Sequence, residues 1–380
     1  MAKAPAVEES IDDEFDDEQP ERDSSGAASR VGAVGSVVRD RFSDFWDGIR
    51  SGDRSQVGAI FGGLGVLLLV WGFIAADIKP ARVVVIGLQS GAVYSLVALG
   101  IALVYKATRV LNFGQGELGT APAFVAYALL VGFNWSDTGP NPDSGKLWWA
   151  TLVAIAFGAG FAVLVNVAVV QRLAKASPVT ALVATAGVSL LFISAEVVMF
   201  EAKVRPFPRY IEGDAFTVSG VRVTWHTVIV LLVLGAAASA LAIFFRTPAG
   251  VALLAMAQEP FAAELSGVSV RAMSVLAWGT AGALAAVAGL LGAGVFGQVR
   301  PGLMTTQYLI YAFAGAVVGG LNSMPGAVVG SLILGLATVY ANELVLGMGW
   351  DIPGPPQIAM LLLLLLVLML RPRGLLGKEA

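Results

Sequence analysis

The chain has 380 residues, of which 57% are hydrophobic and only 13% are charged. Soluble domains carry roughly 25% charged residues, so this composition and a mean hydropathy of +0.77 exclude an ordinary soluble protein. The formal net charge is −3, with one histidine and no cysteine, which excludes disulfides, thiolate metal sites and histidine clusters. We predict an all-α polytopic membrane protein that binds no metal or cofactor directly.

Residues 1–55 form a polar N-terminal extension. Acidic residues are concentrated from Glu8 to Glu21. A stretch with many charges of the same sign and few large apolar residues is typically largely disordered. The acidic start lacks the apolar core of a signal peptide. Between Arg39 and Arg50, apolar residues recur at helical spacing. An amphipathic helix on the membrane surface and a loosely ordered lead-in both remain open for this stretch.

Residues 56–378 contain the membrane segments. A helix needs about 20 mainly apolar residues to cross a bilayer. Candidates lie at about 57–78, 83–105, 114–133, 147–170, 179–200, 225–245, 271–296, 305–321, 325–346 and 355–370. The third and eighth are short and rich in glycine, which is typical of broken or re-entrant segments. We therefore expect about ten membrane segments, some of them incomplete crossings.

The basic residues set the orientation of these segments. With ten crossings and both termini in the cytoplasm, the inner segments hold two thirds of the 24 Lys and Arg residues, as the positive-inside pattern requires. The longest outer loop runs from Glu201 to Thr224. It contains an alternating run around Ser219 and Gly220 that predicts a small hairpin. Contact with an external partner and a plain connection remain open for this loop.

Polar residues interrupt the second and third membrane segments. Asn112, Gln115 and Glu117 cluster where hydrocarbon makes polar groups costly, and ionisable residues inside a bundle face a cavity, pair or function. For Glu117, a place on a translocation path and a structural ion pair with Lys106 or Arg109 remain open. The residues assigned to a candidate translocation path are Gln89, Tyr94, Asn112, Gln115 and Glu117.

Other patterns carry less chemistry. Gly114 to Gly119 matches G-x-G-x-x-G, but the runs on both sides have membrane length, which disfavours a dinucleotide-binding loop. No phosphate-binding G-x-x-x-x-G-K-[ST] motif occurs, and no carboxylate pair accompanies a nucleophile, so an enzyme is not expected. We expect Glu196 and Glu343 to be solvated near the outer helix ends. His226, beside an aromatic residue at a span boundary, is expected to anchor at the membrane interface.

A polar helix separates the sixth and seventh membrane segments. It is expected from about Ala249 to Gly267, because a proline after Thr247 suits a first helical turn. Phe261, Leu265 and Val268 fall on one face of this helix. A docking site for a soluble subunit and a plain interfacial helix remain open.

Four stretches of the chain resemble a known family. They are GLQSGAVYSLVALGIALVYKATRVLNFGQGELG at 87–119, AMAQEPFAAELSGVSVRAMSVLAWGTAGALAAVAGLLGA at 255–293, VVGGLNSMPGAVVGSLILG at 317–335 and LMLRPRGLLGK at 368–378. Together they are similar to the permeases of branched-chain amino acid ABC importers. Urea and short-chain amide permeases share the pattern.

The resemblance implies how the polar helix works. The family's coupling motif maps onto Phe261-Ala262-Ala263 and Gly267, in a cytoplasmic coupling helix that contacts an ATPase subunit. The residues assigned to this contact are Gln258, Glu259, Phe261, Ala262, Ala263 and Gly267. The chain departs from the family where Phe261 replaces a usual Glu, Leu254 a common Arg and Pro122 a common Gly. The first two departures concern the ATPase contact, and the third concerns the bend of the third segment.

The resemblance also implies a function. It implies a non-catalytic transmembrane subunit of an ATP-driven importer in a bacterial inner membrane, with alternating access driven by separate ATPase subunits. The implied partners are a second permease, identical or different, two ATPase subunits and an external binding protein. Branched-chain amino acids, other amino acids, urea and amides remain open as cargo. A stand-alone channel or secondary carrier is the alternative from another class.

Overall fold

The computed structural model describes residues 67, 70–131, 144–173 and 176–377. From residue 80 onward, the described α-helices are Pro80–Thr108 (α1), Glu117–Val131 (α2), Ser144–Val165 (α3), Pro178–Phe200 (α4), Trp225–Phe244 (α5), Pro248–Gln258 (α6), Pro260–Leu265 (α7), Val270–Phe296 (α8), Ile310–Gly319 (α9), Met324–Gly347 (α10) and Pro355–Leu370 (α11). The N-terminal extension at 1–55 and most of the expected first segment lie outside the described residues. The described part is an all-α polytopic membrane protein with two small strand pairs.

Six helices in the described part are long and apolar enough to cross a membrane. They are Pro80–Thr108, Lys146–Leu173, Val179–Phe200, Trp225–Phe244, Val270–Phe296 and Met324–Gly347. Each of the two short glycine-rich segments contains a non-α turn, so neither forms one long regular α-helix. A 3-10 turn at Phe113–Gln115 precedes the 15 residues of α2. A π-helical turn at Thr305–Leu309 precedes the 10 residues of α9.

The helix ends follow from local sequence. A Ser or Thr hydroxyl accepts a hydrogen bond from a first-turn backbone N–H at the start of several helices, which satisfies a donor that has no partner within the helix. The capping residues are Ser177, Thr224, Thr247, Ser269 and Ser323. At its other end, α8 stops at Gly297, whose φ of 66° is left-handed and therefore suits glycine.

The core lies where α1, α8 and α10 pack through small residues. A Cβ at Gly91 in α1 would lie 2.9 Å from the Cα of Leu332 in α10. At the α2–α8 crossing, a Cβ at Gly289 would lie 2.9 Å from the Cα of Gly119 and overlap its carbonyl oxygen. Lipid tails give apolar helices no hydrophobic reason to associate, so close backbone packing stabilises these crossings.

The two strand pairs lie between the helices of the expected outer side. Arg205–Pro206 (β1) pairs with Gln298–Val299 (β4), and Asp214–Val218 (β2) pairs with Val221–Thr224 (β3). The predicted hairpin is therefore confirmed. Both residues of its turn, Ser219 and Gly220, have positive φ, 48° and 78°, the combination that two-residue hairpin turns favour.

Three expectations for polar residues near helix ends are corrected. His226 is completely buried, and its Nε2 lies 3.1 Å from the carbonyl oxygen of Leu291. It packs inside the bundle because Gly294 of α8 leaves room for its ring. Glu196 is only 4% exposed, so it is not solvated. The side chain of Glu343 is 15% exposed and forms an ion pair with Arg82 at 3.2 Å.

Candidate functional site

The chain turns back into the bundle after α1. Arg109 ends α1 in the left-handed conformation, with φ 57°. Six residues later, the side-chain amide of Gln115 donates to the carbonyl oxygen of Ala281 at 3.0 Å. Ala281 lies near the middle of α8, which has 27 residues. The turn at Phe113–Gln115 therefore lies well inside the apolar layer.

Polar side chains satisfy the backbone at this interior break, because no water is available there to do so. Asn112 accepts from the backbone N–H of Gly114 at 3.0 Å, and its amide donates to Gln115 at 3.0 Å. The hydroxyl of Thr185 in α4 accepts from the N–H of Phe113 at 3.2 Å. Asn112 and Gln115 are each 1% exposed, so both side chains serve to satisfy hydrogen-bonding groups at the break.

Glu117 begins α2 and is also buried, with 1% exposure. Its carboxyl faces the carboxyl of Glu196 in α4 and the hydroxyls of Thr120 and Thr305. Glu196 in turn accepts a hydrogen bond from the backbone N–H of Gly302 at 3.0 Å. Two carboxyls from different helices thus meet inside the membrane layer.

The expected ion pair between Glu117 and Lys106 or Arg109 is not formed. The guanidinium of Arg109 donates to the side chain of Asn322 at 3.1 Å. The ammonium of Lys106 lies 5.4 Å from the ring centre of Phe245. Both basic residues stay at the end of α1, whereas the chain has already turned inward at Glu117.

The π-helical turn of the second glycine-rich segment faces the break in the first. A Cβ at Gly116 would lie 2.7 Å from the Cα of Thr305, so only glycine permits this approach. The N–H of Met304 donates to the hydroxyl of Thr120 at 3.1 Å. Phe113 stacks on Phe313 with ring centres 4.8 Å apart. The break at Phe113–Gln115 and the π-helical turn at Thr305–Leu309 therefore form one buried junction, which we call the interior junction (residues 112–120 and 302–309, with Thr185 and Glu196).

The remaining candidate path residues, Gln89 and Tyr94, lie in α1. Gln89 accepts a hydrogen bond from the hydroxyl of Thr227 in α5 at 3.2 Å. Tyr94 stacks on Tyr311 at 5.1 Å and meets Tyr308 edge-on at 5.7 Å. The structure brings Asn112, Gln115 and Glu117 together and places Tyr94 against Tyr308 at the edge of the interior junction. It leaves Gln89 apart from them, bonded to Thr227.

The segment between α5 and α8 is broken as well. The single helix expected from Ala249 to Gly267 is wrong, since α6 ends at Gln258 and α7 starts at Pro260. Proline has no N–H to continue the first helix and forces the residue before it away from helical geometry. Glu259 accordingly has φ −144° and ψ 91°.

The two short helices differ in their exposure. α6 buries Leu253 and Met256 and packs against α1 and α8. In α7, Phe261 is 70% exposed and Leu265 is 76% exposed. Val268 packs against the core instead, so the expectation that it shares their face is wrong. We call α7 with its flanking residues Gln258, Glu259, Ser266 and Gly267 the exposed knob.

A glycine turn fixes the end of the exposed knob. The N–H of Gly267 donates to the carbonyl of Glu264 at 2.9 Å, and the N–H of Val268 donates to the carbonyl of Ala263 at 3.0 Å. This pair of bonds terminates helices through a left-handed residue, and Gly267 has φ +85°. Ala263 is 4% exposed, whereas Gln258, Glu259, Phe261, Ala262 and Gly267 are exposed.

Sequence reasoning missed Glu196 and Thr305 as neighbours of Glu117. The available signal was the ionisable residue itself, since Glu196 lies within the membrane-length run of α4 and such residues rarely face lipid. Thr305 carried no signal, because a threonine in an apolar segment is common and its neighbour depends on the fold.

The chain is similar to known proteins over most of its length. The family model described as branched-chain amino acid transport system / permease component matches residues 83–370. The high-affinity branched-chain amino acid transport system permease protein BraD of Pseudomonas aeruginosa is 28% identical over 302 residues, covering 77% of this chain and 94% of BraD.

Two further relatives match this chain over a similar length. LivH of Escherichia coli is 28% identical over 305 residues, covering 77% of this chain and 94% of LivH. A probable LivH of Methanocaldococcus jannaschii is 25% identical over 309 residues, covering 77% of this chain and 92% of that relative. No solved structure matches the chain. The family match covers more than half of the sequence, and the chain belongs to the branched-chain amino acid transport permease component family.

Proposed function

We propose that this chain is one transmembrane permease subunit of an ATP-driven ABC importer for branched-chain or other amino acids. The observation that carries the proposal is the exposed knob, a short helix with an apolar tip between two membrane-length helices. The names of BraD and LivH as branched-chain amino acid transport permease proteins support the class of cargo.

The knob suits coupling to a separate ATPase. Phe261 and Leu265 project apolar surface that a cleft on a soluble subunit can bury, and removing apolar surface from water favours association. α6 is held against α1 and α8 by Leu253 and Met256. A displacement of the knob therefore reaches helices that cross the membrane. Alternating access follows when ATP-driven closure of the ATPase subunits moves the knob, and the membrane helices shift with it.

The proposal includes an orientation and an assembly. The knob and both termini face the cytoplasm of a bacterial inner membrane, with about ten membrane segments in residues 56–378, as the distribution of basic residues favours. The partners are a second permease, identical or different, two ATPase subunits and an external binding protein. The chain itself is non-catalytic and binds no cofactor, and ATP acts through the ATPase subunits.

The residues proposed for each role divide into two groups. Coupling is assigned to Gln258, Glu259, Phe261, Ala262, Ala263 and Gly267. The translocation path is assigned to Gln89, Tyr94, Asn112, Gln115 and Glu117, of which the last three work through the interior junction. Of the coupling residues, Ala263 holds the knob to the core rather than contacting the partner, because its side chain is buried.

A substitution on the knob tests the proposal. Ala262→Arg places charge on an exposed position beside Phe261 and should reduce co-purification of an ATPase subunit by about tenfold or more, which equals about 1.4 kcal/mol of association free energy. ATP-driven uptake in proteoliposomes should fall with it, whereas the amount of inserted protein should not. The matched control is Ala202→Arg, an exposed alanine in the expected outer loop. Uptake at the wild-type level with Ala262→Arg would remove the knob from the mechanism.

A secondary carrier is the candidate from another class, and the buried carboxyls of Glu117 and Glu196 favour it, since proton-coupled carriers rely on such groups. Uptake by the purified chain alone under a proton gradient would support a carrier. Uptake that requires ATP and an ATPase subunit supports the importer. Urea or short-chain amides are the alternative cargo, and competition for uptake between leucine and urea separates the two.

A further inference from the structure

The interior junction contains two facing carboxyls and few donors for them. Both carboxylate oxygens of Glu117 have no hydrogen-bond partner at 1% exposure. Glu196 uses Oε2 to accept from the N–H of Gly302, and its Oε1 has no partner. The two carboxyls face each other. A carboxylate can only accept hydrogen bonds, so as two anions neither glutamate can donate to the other, and within the described part of the chain the facing hydroxyls of Thr120 and Thr305 are the only side-chain donors left to Glu117.

The charge of this pair is also uncompensated. Among the described residues, neither glutamate takes part in an ion pair. The groups that act on the two carboxyls are the hydroxyls of Thr120 and Thr305, the N–H of Gly302 and each other. Two adjacent carboxyls resist ionising together, because the charge of the first disfavours the charge of the second. In the apolar layer of a membrane the cost is larger, because burial disfavours each charge separately.

One negative charge, by contrast, has support. Glu117 is the first residue of α2, where the unpaired N–H groups of a helix start favour an anion. The N–H of Gly302 adds a donor to Glu196. These dipoles offset about half an elementary charge at the helix start, which suits one carboxylate and not two.

We propose that Glu117 and Glu196 bind one proton between them, and that the protonated carboxyl donates a hydrogen bond to the ionised one. The proton turns one acceptor into a donor, so it supplies the missing partner and removes one charge in the same step. It joins the start of α2 to α4 across the interior junction. This inference concerns the buried pair alone and does not depend on the proposed transport function.

Infrared spectroscopy of the full-length chain reconstituted in lipid at neutral pH tests the proposal. A protonated carboxyl and a carboxylate absorb at separate frequencies. The spectrum of the wild type minus that of the double variant Glu117→Gln, Glu196→Gln should contain one carboxylic acid band and one carboxylate band. Glutamine keeps the size and polarity of the side chain, so the double variant retains the packing.

Two controls make the assignment specific. Glu343→Gln removes a carboxyl that is paired with Arg82, and its difference spectrum should contain a carboxylate band only. The wild-type measurement in choline instead of sodium buffer should leave the acid band unchanged. If sodium removes the band, a metal cation holds the pair and the proposal is wrong.

The remaining outcomes also support or overturn the shared proton. Two carboxylate bands without an acid band would mean that both groups are ionised, and two acid bands would mean that two protons are bound; either result overturns the shared proton. If the double variant is poorly folded, the single variants Glu117→Gln and Glu196→Gln replace it. Each single variant must then lose the carboxylate band or the acid band relative to the wild type, and a spectrum unchanged in both single variants overturns the proposal.

Discussion

Two helix interruptions in this protein both leave backbone N–H and C=O groups that need hydrogen-bond partners. One interruption lies inside the membrane layer and the other lies at an exposed surface. At the interior junction, the break at Phe113–Gln115 is closed by side-chain hydrogen bonds from Asn112, Gln115 and Thr185. At the exposed knob, the break at Glu259 is made by a proline and needs no side-chain partner. Water satisfies an exposed backbone, whereas hydrocarbon cannot. A break inside the membrane therefore requires polar residues, and a break outside it leaves room for apolar ones such as Phe261.

The largest effect should come from the glycines that position the interior junction. In Gly289→Leu the new side chain meets the backbone of Gly119, just after the break, where no rotamer relieves the overlap. Overpacking costs about 1–3 kcal/mol and occasionally more, and a backbone collision belongs to the upper end. We expect no monodisperse folded protein by size-exclusion chromatography in detergent.

The matched control is Gly235→Leu in α5, where a Cβ would meet nothing within 4 Å. This variant should elute as the wild type does. If both variants elute normally, the α2–α8 crossing is more tolerant than its geometry implies, and the interior junction does not depend on it.

The polar contacts of the interior junction should have the next largest effect. Gln115→Leu removes the donor to the carbonyl of Ala281 and the acceptor for Asn112. Each buried group left without a partner costs about 1–3 kcal/mol. The thermal unfolding midpoint in detergent should therefore fall clearly below that of the wild type.

Gln258→Leu at the knob is the comparison for this variant. Gln258 is exposed, and surface substitutions usually change stability by less than about 0.5 kcal/mol. Equal unfolding midpoints for the two leucine variants would contradict the distinction between the two breaks.

The turn that ends the knob should have a smaller effect. In Gly267→Ala a Cβ is forced into left-handed geometry at φ +85° without any collision, and that geometry costs a residue with a Cβ roughly 1–2 kcal/mol. Gly160→Ala in α3 also meets nothing within 4 Å but lies in a helix, where alanine is favoured over glycine by about 1 kcal/mol. Thermal unfolding should separate the two alanine variants in opposite directions from the wild type.

The sequence was sufficient for the features that depend on local chemistry. Membrane-length helices, the hairpin at Ser219-Gly220 and the short, irregular character of the third and eighth segments follow from apolar runs and glycine content. Pro260 marked a position where the expected polar helix could break, although a single helix was predicted there. Proline at a first helical turn and proline inside a helix have the same sequence context, and the backbone decides between them.

Features that depend on the pairing of distant segments were not predictable in this way. Glu196 is 79 positions from Glu117 along the sequence, and only the inward turn after α1 brings the two together. His226 was placed at the interface because its neighbour Trp225 is there, with 45% exposure. The space that accepts the histidine is created by Gly294 in another helix, which local sequence does not reveal.

The smallest stability effect should come from removing the proline at the knob. Pro260→Ala restores a backbone N–H, so α6 and α7 can join into one helix at a surface where water satisfies either arrangement. The change in unfolding free energy should stay within about 0.5 kcal/mol, but the direction of the knob should change. Because the chain has no cysteine, Val251→Cys and Leu265→Cys, both exposed positions, can carry spin labels without background.

A continuous helix separates these two positions by about 21 Å along its axis, at 1.5 Å per residue. In Pro260→Ala the distribution of distances between the two spin labels should move to a single peak at about 21 Å. ATP-driven uptake should also fall, because the apolar tip no longer points as it does in the wild type. An unchanged distribution would mean that packing of Ala263 and Val268 against the core, rather than the proline, sets the break. The exposed break would then depend on tertiary contacts as the interior one does, and the contrast between them would be lost.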